Sequence, residues 1–146
     1  MKRIASFQVN HDTIQKGMYI SRIDGDIVTY DIRMKLPNGG DYLDYDAVHT
    51  FEHLFATYAR NTKYSENVIY LGPMGCRTGF YFLVRDKISH SEALEIMVGT
   101  MKFIIDFEGE IPGSKKEECG NYLSHSLPGA KEIAKDMLPV LENWDV

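Results

Sequence analysis

The first regular hydrophobic pattern along the chain predicts two paired β-strands. Met18 to Ile23 and Ile27 to Met34 are rich in β-branched and aromatic residues, and Asp24-Gly25-Asp26 joins them. An Asp-Gly step between two such runs is typical of a β-hairpin. In the second run the side chains alternate between two faces. One face carries Val28, Tyr30, Ile32 and Met34, and the other carries Ile27, Thr29, Asp31 and Arg33.

The middle of the chain predicts a helix followed by two short strands. Pro37-Asn38-Gly39-Gly40 interrupts the pattern, after which Asp46 can cap a helix that runs to about Arg60. Asn67 to Leu71 and Phe80 to Arg85 have the composition of strands. The segment between them, from Gly72 to Gly79, is predicted to be a glycine-rich turn.

Two further helices are predicted in the C-terminal half. Ser89 and Glu92 form a capping box before a helix with apolar spacing to about Phe107, and Ile111-Pro112-Gly113 ends that element. A last helix runs from about Pro128, and Pro139 is expected to disturb its end. The pattern favours an α+β fold, with an antiparallel sheet of about four strands and helices on one face. We expect a single domain over residues 1–146.

Composition narrows the possible functions. The chain has 146 residues and a net charge of −5, so no basic field indicates nucleic acid or an anionic membrane as a partner. No run approaches the roughly 20 apolar residues of a membrane span, and the polar N-terminus lacks the core of a signal peptide. The sequence therefore predicts a cytoplasmic protein. In that compartment Cys76 and Cys119 are expected to be thiols or ligands, although both could be small buried hydrophobic residues.

The first long helix carries the strongest chemical signal. His49 and His53 are spaced i and i+4, which places both imidazoles on one face and within reach of one ion. Glu52 lies beside them and can act on a substrate as an acid–base group. Because the helix has few charges, we expect this face to point into a cleft or another subunit. Two histidines in this spacing also occur without metal.

The same residues match His-x-x-Glu-His, the signature of inverted zinc peptidases. A peptidase would need a third ligand, for which Glu92 and Glu95 are candidates by position. This alternative gives no role to either cysteine, and a catalytic unit of that family is much larger than this chain.

Each cysteine lies next to a turn. Cys119, in Glu117-Glu118-Cys119-Gly120-Asn121, could complete a His2Cys set with an open fourth position, as in catalytic metal sites. Cys76 lies in the glycine-rich turn, where Arg77 would favour its thiolate form. Each could equally be a packed or surface cysteine.

Three segments together closely resemble the S-ribosylhomocysteine lyase (LuxS) family. They are His-Thr-Phe-Glu-His at 49–53, Gly-Pro-Met-Gly-Cys-Arg-Thr-Gly at 72–79 and Glu-Cys-Gly-Asn at 118–121. The opening Ser6-Phe-Gln-Val-Asn-His11 and Asp31-Ile-Arg33 match as well, and the likeness covers essentially the whole chain.

The resemblance implies a reaction and a set of residue roles. Members of the family cleave S-ribosylhomocysteine to homocysteine and 4,5-dihydroxy-2,3-pentanedione, the precursor of the signal autoinducer-2. The chemistry consists of two enolisations and a β-elimination of the thiol, with no nucleotide cofactor. By this resemblance one divalent metal per subunit is bound by His49, His53 and Cys119; it is natively Fe²⁺, and Zn²⁺ or Co²⁺ can replace it. Cys76 and Glu52 are the acid–base pair, and Ser6, His11 and Arg33 line the substrate pocket.

The resemblance also implies a homodimer with two sites at the subunit interface. Some members have an acidic residue two positions before the Gly-Pro, where this chain has Tyr70. The resemblance therefore does not identify the residues that bind the amino-acid end of the substrate. His125 could support the metal site or be a surface histidine. A metal-binding module without catalytic activity is a third interpretation of the same residues.

Overall fold

In the computed structural model, which describes residues 1–145, a four-stranded sheet is covered by helices. The chain forms, in order, α1 (Ala5–Gln8), β1 (Gly17–Asp24), β2 (Ile27–Arg33), α2 (Tyr45–Ala59), β3 (Val68–Pro73), β4 (Gly79–Arg85), α3 (His90–Asp106) and α4 (Leu127–Glu142). A short 3₁₀ turn, Ser65–Asn67, precedes β3. The strand order is β1-β2-β4-β3, and all neighbouring strands are antiparallel. The predicted α+β class, with an antiparallel sheet of four strands in one domain, is confirmed.

The sheet buries one face against the three long helices. Tyr30 and Ile32 of β2 and Phe80 and Phe82 of β4 are almost fully buried and belong to one hydrophobic core with Phe51 and Phe55 of α2. The predicted alternation of β2 is therefore correct. Asp31 and Arg33 point to the opposite, outer face of the sheet, because neighbouring strand residues alternate in direction.

The predicted β-hairpin is confirmed. Gly25 in its turn has φ +60°, a backbone conformation that costs glycine little. The ladder pairs Asp24 with Ile27, so the loop consists of Gly25 and Asp26. Such two-residue loops match the twist of the flanking strands.

Three local predictions are corrected. The cap of α2 is Asp44, whose side chain accepts a hydrogen bond from the Ala47 amide, and Asp46 lies within the first turn. Gly72 and Pro73 extend β3 into the predicted turn, which Pro73 permits because β3 is an edge strand. Pro139 does not disturb α4, which continues to Glu142. It lies within the last turn of α4, where few hydrogen bonds can be lost, and the buried side chain of Leu141 holds that turn.

Helix α1 was not predicted. It is a single turn, and a segment of four residues carries too little periodicity to indicate a helix. Within residues 1–145, no helix combines the length and the apolar character needed to cross a membrane.

Candidate metal centre

Helix α2 presents His49 and His53 as a pair. The helix buries Phe51, Leu54 and Phe55 completely and leaves the two histidines half-buried on another face. Their ring centroids are 4.6 Å apart and the rings are nearly perpendicular. The i, i+4 spacing therefore produces the predicted geometry, with both imidazoles available to one ion.

Backbone carbonyls fix the tautomer of both rings. Nδ1 of His49 lies 2.6 Å from the Ser124 carbonyl oxygen, and Nδ1 of His53 lies 2.8 Å from the Pro112 carbonyl oxygen. A carbonyl can only accept, so each Nδ1 carries a proton and donates it. Each Nε2 then keeps its lone pair, which is the form in which histidine binds metals.

Cys119 completes a set of three ligand atoms. Its Sγ lies 3.4 Å from Nε2 of His49. A tetrahedral ion with ordinary metal–sulfur and metal–nitrogen bond lengths separates two such atoms by about 3.6 Å. The donor set and its spacing therefore fit a divalent ion.

His125 is a fourth member of the group. Ligand atoms of His49, His53, Cys119 and His125 all lie within 4.8 Å of one another. The His125 ring stacks on His49 with centroids 4.1 Å apart. Burial lowers the pKa of His125, repulsion from His49 and His53 when these rings are protonated lowers it further, and the charge of Asp46 opposes the shift. Sequence reasoning left this residue undecided, because its position depends on the path of the irregular segment between α3 and α4.

Cys76 belongs to a second group, which is built on the strands. Cys76 is an exposed residue, and its Sγ lies 3.1 Å from the Thr78 hydroxyl. Arg33 donates to the same hydroxyl at 2.9 Å and to Asp31 at 2.6 Å. Arg33 and Asp31 are each only 2% exposed, so the pair lies inside the protein. Burial raises the pKa of the Asp31 carboxyl, while the hydrogen bond and charge of Arg33 oppose that shift. Sequence reasoning missed Thr78, since a threonine in a turn has no distinctive pattern.

Arg77 makes no hydrogen bond to the Cys76 sulfur. Its guanidinium lies 4.3 Å from the centre of the Tyr45 ring and donates to the Leu43 carbonyl oxygen. Its backbone has φ +60° and its carbonyl accepts from the Leu43 amide. Arg77 therefore ties the turn to the start of α2, and Thr78 is the hydrogen-bonding partner of Cys76.

The three predicted substrate-binding residues, Ser6, His11 and Arg33, lie at the outer face of the sheet. Ser6 lines a cavity of about 370 Å³ together with Thr29, Tyr70 and Tyr81. His11 lies close enough to Asp31 for a charge on its ring to lower the pKa of that carboxyl, and its Nδ1 donates to the Val9 carbonyl oxygen. The structure thus groups these residues apart from the metal ligands, which lie in the helical layer. The two terminal nitrogens of Arg33 already have protein partners, so its contact with substrate remains a prediction.

The carboxylates are distributed in a way that argues against a peptidase site. Glu92 accepts from the Ser89 amide as part of the capping box, and Glu95 accepts from the Tyr64 hydroxyl. Neither belongs to the group of ligand atoms around His49. Glu52 is half-buried and has no side-chain hydrogen bond among the described residues. It is therefore available to a ligand.

Fold and site together define an α+β protein with a possible metal-binding group of three histidines and one cysteine. The S-ribosylhomocysteinase (LuxS) family model matches residues 4–145. An S-ribosylhomocysteine lyase of Clostridium acetobutylicum is 46% identical over an alignment that covers 98% of this chain and 94% of the relative. One of Phocaeicola vulgatus is 48% identical, with 98% and 92% covered, and one of Porphyromonas gingivalis is 47% identical, with 94% and 90% covered. The chain belongs to the S-ribosylhomocysteinase (LuxS) family, and the prediction of an enzyme of this carbon–sulfur lyase family is confirmed.

Proposed function

We propose that this chain is a metal-dependent lyase that cleaves S-ribosylhomocysteine to homocysteine and 4,5-dihydroxy-2,3-pentanedione. The observation that carries the proposal is the close approach of His49, His53 and Cys119. Both histidines are held in the tautomer that binds metals. Membership of the family and the names of its relatives support the substrate.

We assign the metal to His49, His53 and Cys119, with one divalent ion per chain. Two imidazoles and a thiolate accept Fe²⁺, Co²⁺ or Zn²⁺, and we propose Fe²⁺ as the native ion. When bound, it supplies Lewis-acid stabilisation for negative charge that develops on the sugar oxygens.

The residues of the chain supply the proton transfers. The thioether leaves from a carbon without an adjacent carbonyl, so the carbonyl first migrates along the sugar by two enolisations. We assign to Cys76 the removal of a proton from one carbon and its return to the next, and to Glu52 the hydroxyl protons. A β-elimination then breaks the carbon–sulfur bond and releases homocysteine as a thiol. No step changes the net redox state, so no nucleotide cofactor is required.

Arg33 and Thr78 support the role of Cys76. Thr78 is buried and accepts a hydrogen bond from Arg33, so its own hydroxyl proton can be donated to the sulfur. A donor of this kind stabilises the thiolate, which is the base that the mechanism needs. We propose that Ser6 and His11 contact the substrate directly, and that Arg33 acts at least in part through Thr78.

We further propose a homodimer with two shared sites. In one chain Ser6 lies against the outer face of the sheet, whereas His49 lies in the helical layer that covers the other face. A second copy can bring the outer-face residues of one chain to the metal group of the other. The exposed apolar side chains of Ile4, Phe7 and Tyr70 near this face support such packing.

The location, domain organisation and use of the product are also part of the proposal. We propose that the enzyme is cytoplasmic, that residues 1–146 form one lyase domain, and that its sugar product serves as the precursor of autoinducer-2.

The assigned roles are tested by substitutions that should spare the metal. Glu52→Gln and Cys76→Ala should each keep one metal ion per chain and lose about 10²–10⁴-fold in turnover, the usual contribution of a general acid–base group. Plasma mass spectrometry measures the metal and a thiol reagent measures released homocysteine. His90→Ala, a histidine outside the metal group, is the matched control. Normal turnover of Cys76→Ala would remove Cys76 from the mechanism.

A further inference from the structure

The four clustered residues exceed the three that a catalytic metal with an open position usually takes from the protein. His125 could be a fourth ligand or could have a different function. The hydrogen bond made by Nδ1 of His125 distinguishes these two roles. That bond determines whether Nδ1 or Nε2 carries the proton of the neutral ring.

Thr50 controls the His125 ring. Thr50 is fully buried on α2, and its Oγ1 lies 2.9 Å from Nδ1 of His125. The Ser126 amide already donates to the same oxygen at 2.9 Å. Within residues 1–145, Nδ1 of His125 is the one acceptor that lies within hydrogen-bond distance of the Thr50 hydroxyl. A buried hydroxyl proton without an acceptor costs free energy, so Thr50 donates and Nδ1 accepts.

The consequence is the opposite tautomer from that of His49 and His53. With Nδ1 accepting, a neutral His125 carries its proton on Nε2, which then has no lone pair for a metal. Nε2 is buried and finds no protein partner among the described residues. Nε2–H is thus a donor next to the metal group, and residues 1–145 offer it no acceptor.

We propose that His125 is a substrate-contacting hydrogen-bond donor, whose Nε2–H binds an oxygen of the sugar held at the His49–His53–Cys119 group. The inference rests on the proposed function for the identity of the substrate. S-ribosylhomocysteine carries oxygens on successive carbons of its sugar, so a substrate at the metal brings an acceptor that the described part of the chain does not offer. Negative charge develops on these oxygens during enolisation, and a fixed donor is worth most where such charge develops.

Ring packing and hydrogen bonds hold the His125 Nε2–H donor in a fixed position. The ring stacks on His49 and meets His53 edge-on at 4.9 Å. Ser126, the next residue, caps α4 by accepting from the Gly129 amide. The Nε2–H is therefore held by α2 through Thr50 and by the start of α4 through Ser126. A donor held in this way needs little reorganisation during the reaction.

The test compares metal binding with turnover. In cobalt-loaded protein, His125→Ala should retain one ion per chain and the thiolate-to-cobalt absorption of the wild type, while kcat falls by about 10²-fold and KM changes little, as for loss of one oxyanion donor. His125→Gln, which can place an amide N–H near the position of Nε2, should recover at least about tenfold of that loss. Thr50→Val should also lose kcat while keeping cobalt, and Thr50→Ser should not.

Three results would overturn the inference. A His125→Ala protein that loses cobalt or changes its absorption would make His125 a fourth ligand. Unchanged kcat in His125→Ala would show that it contacts no reacting oxygen, and equal losses in the Ala and Gln variants would leave it a packing residue. Wild-type protein that binds cobalt and releases no thiol would instead refute the proposed function, while the cobalt spectra would still decide the ligand question.

Discussion

A buried threonine hydroxyl orients the chemistry in both groups of functional residues. Thr50 donates to His125, and Thr78 lies between Arg33 and Cys76. In each case another donor already occupies one lone pair of the hydroxyl oxygen. The hydroxyl proton remains available to the functional side chain, and donation to that side chain is what we propose for both threonines.

Replacing Thr78 should change the reactivity of Cys76. Thr78→Val removes the donor to the sulfur, and a net hydrogen bond of about 0.5–1.5 kcal/mol corresponds to a fall of up to roughly tenfold in thiolate-dependent reactivity. The rate of alkylation by iodoacetamide at neutral pH, followed by mass spectrometry of the Cys76 peptide, measures this change. Thr78→Ser is the matched control and should react like the wild type. Equal rates in Thr78→Val and wild type would show that Thr78 does not support the thiolate.

For individual residues, the sequence predicts the candidate metal ligands better than it predicts the contacts that hold them in place. His49 and His53 are predictable because helical spacing fixes their relative position. Cys119 and Cys76 needed family resemblance, since nothing in the spacing joins them to the helix. Thr50, Thr78 and the tautomer of His125 depend on contacts between residues far apart in the chain, which a single sequence does not reveal.

Among the elements, the irregular segment between α3 and α4 does most to shape the metal centre. It contains Cys119 and His125 and supplies the carbonyls of Pro112 and Ser124 that hold the two helix histidines. Gly113, with φ +70°, follows Pro112, and a Cβ added there would lie 3.1 Å from Nδ1 of His53. The positive φ and the close approach to the His53 ring therefore both favour glycine at this position.

Gly113→Ala should weaken metal binding. The added methyl group crowds the His53 ring and disturbs its bond to the Pro112 carbonyl oxygen, and such supporting contacts are typically worth 10–100-fold in metal affinity. Competition with a chelator of known affinity measures the change. Gly109→Ala is a matched control in the same segment, because Gly109 also has a positive φ of +103° but has open space around it. Equal effects of the two substitutions would mean that backbone strain, and not the contact with His53, is responsible.

The long elements could be predicted from their periodicity, whereas their ends could not. The capping box of Ser89 and Glu92 starts α3 where the sequence indicates. The start of α2 was misplaced because two nearby aspartates, Asp44 and Asp46, are both suitable caps. Their geometry shows the division of roles: Asp44 caps the helix, and Asp46 accepts a hydrogen bond from Ser124, next to the metal group.

Over the whole molecule, the sheet separates the predicted functional residues into two sets. The metal group lies in the helical layer, and Ser6 lies at the outer face beside a cavity with Tyr70 and Tyr81. A family resemblance can imply a shared site, but a pattern along one chain does not reveal which face a second chain covers. Because the two sets lie on opposite sides of the sheet, the proposed dimer would be needed to bring them together.

The dimer has a direct physical test. Light scattering at micromolar concentration should give twice the 16.7 kDa mass of the chain. Phe7→Glu places a charge among the exposed apolar residues near the outer face and should shift the protein toward monomer with loss of turnover, because a site shared between chains would be incomplete. Glu66→Gln, an exposed change on the short turn before β3, is the control. A monomer with full activity would contradict the shared site.

The measurement that tests the central claim most directly is thiol release from S-ribosylhomocysteine. Metal-loaded wild-type protein should release homocysteine without any added nucleotide or redox cofactor. Chelation should stop the release, and restoring Fe²⁺ or Co²⁺ should recover it. Cys119→Ala should remain inactive under the same metal concentrations, because loss of one ligand empties the site. Metal-loaded protein that cleaves peptides and releases no thiol would contradict the account, and so would thiol release that survives complete removal of the metal.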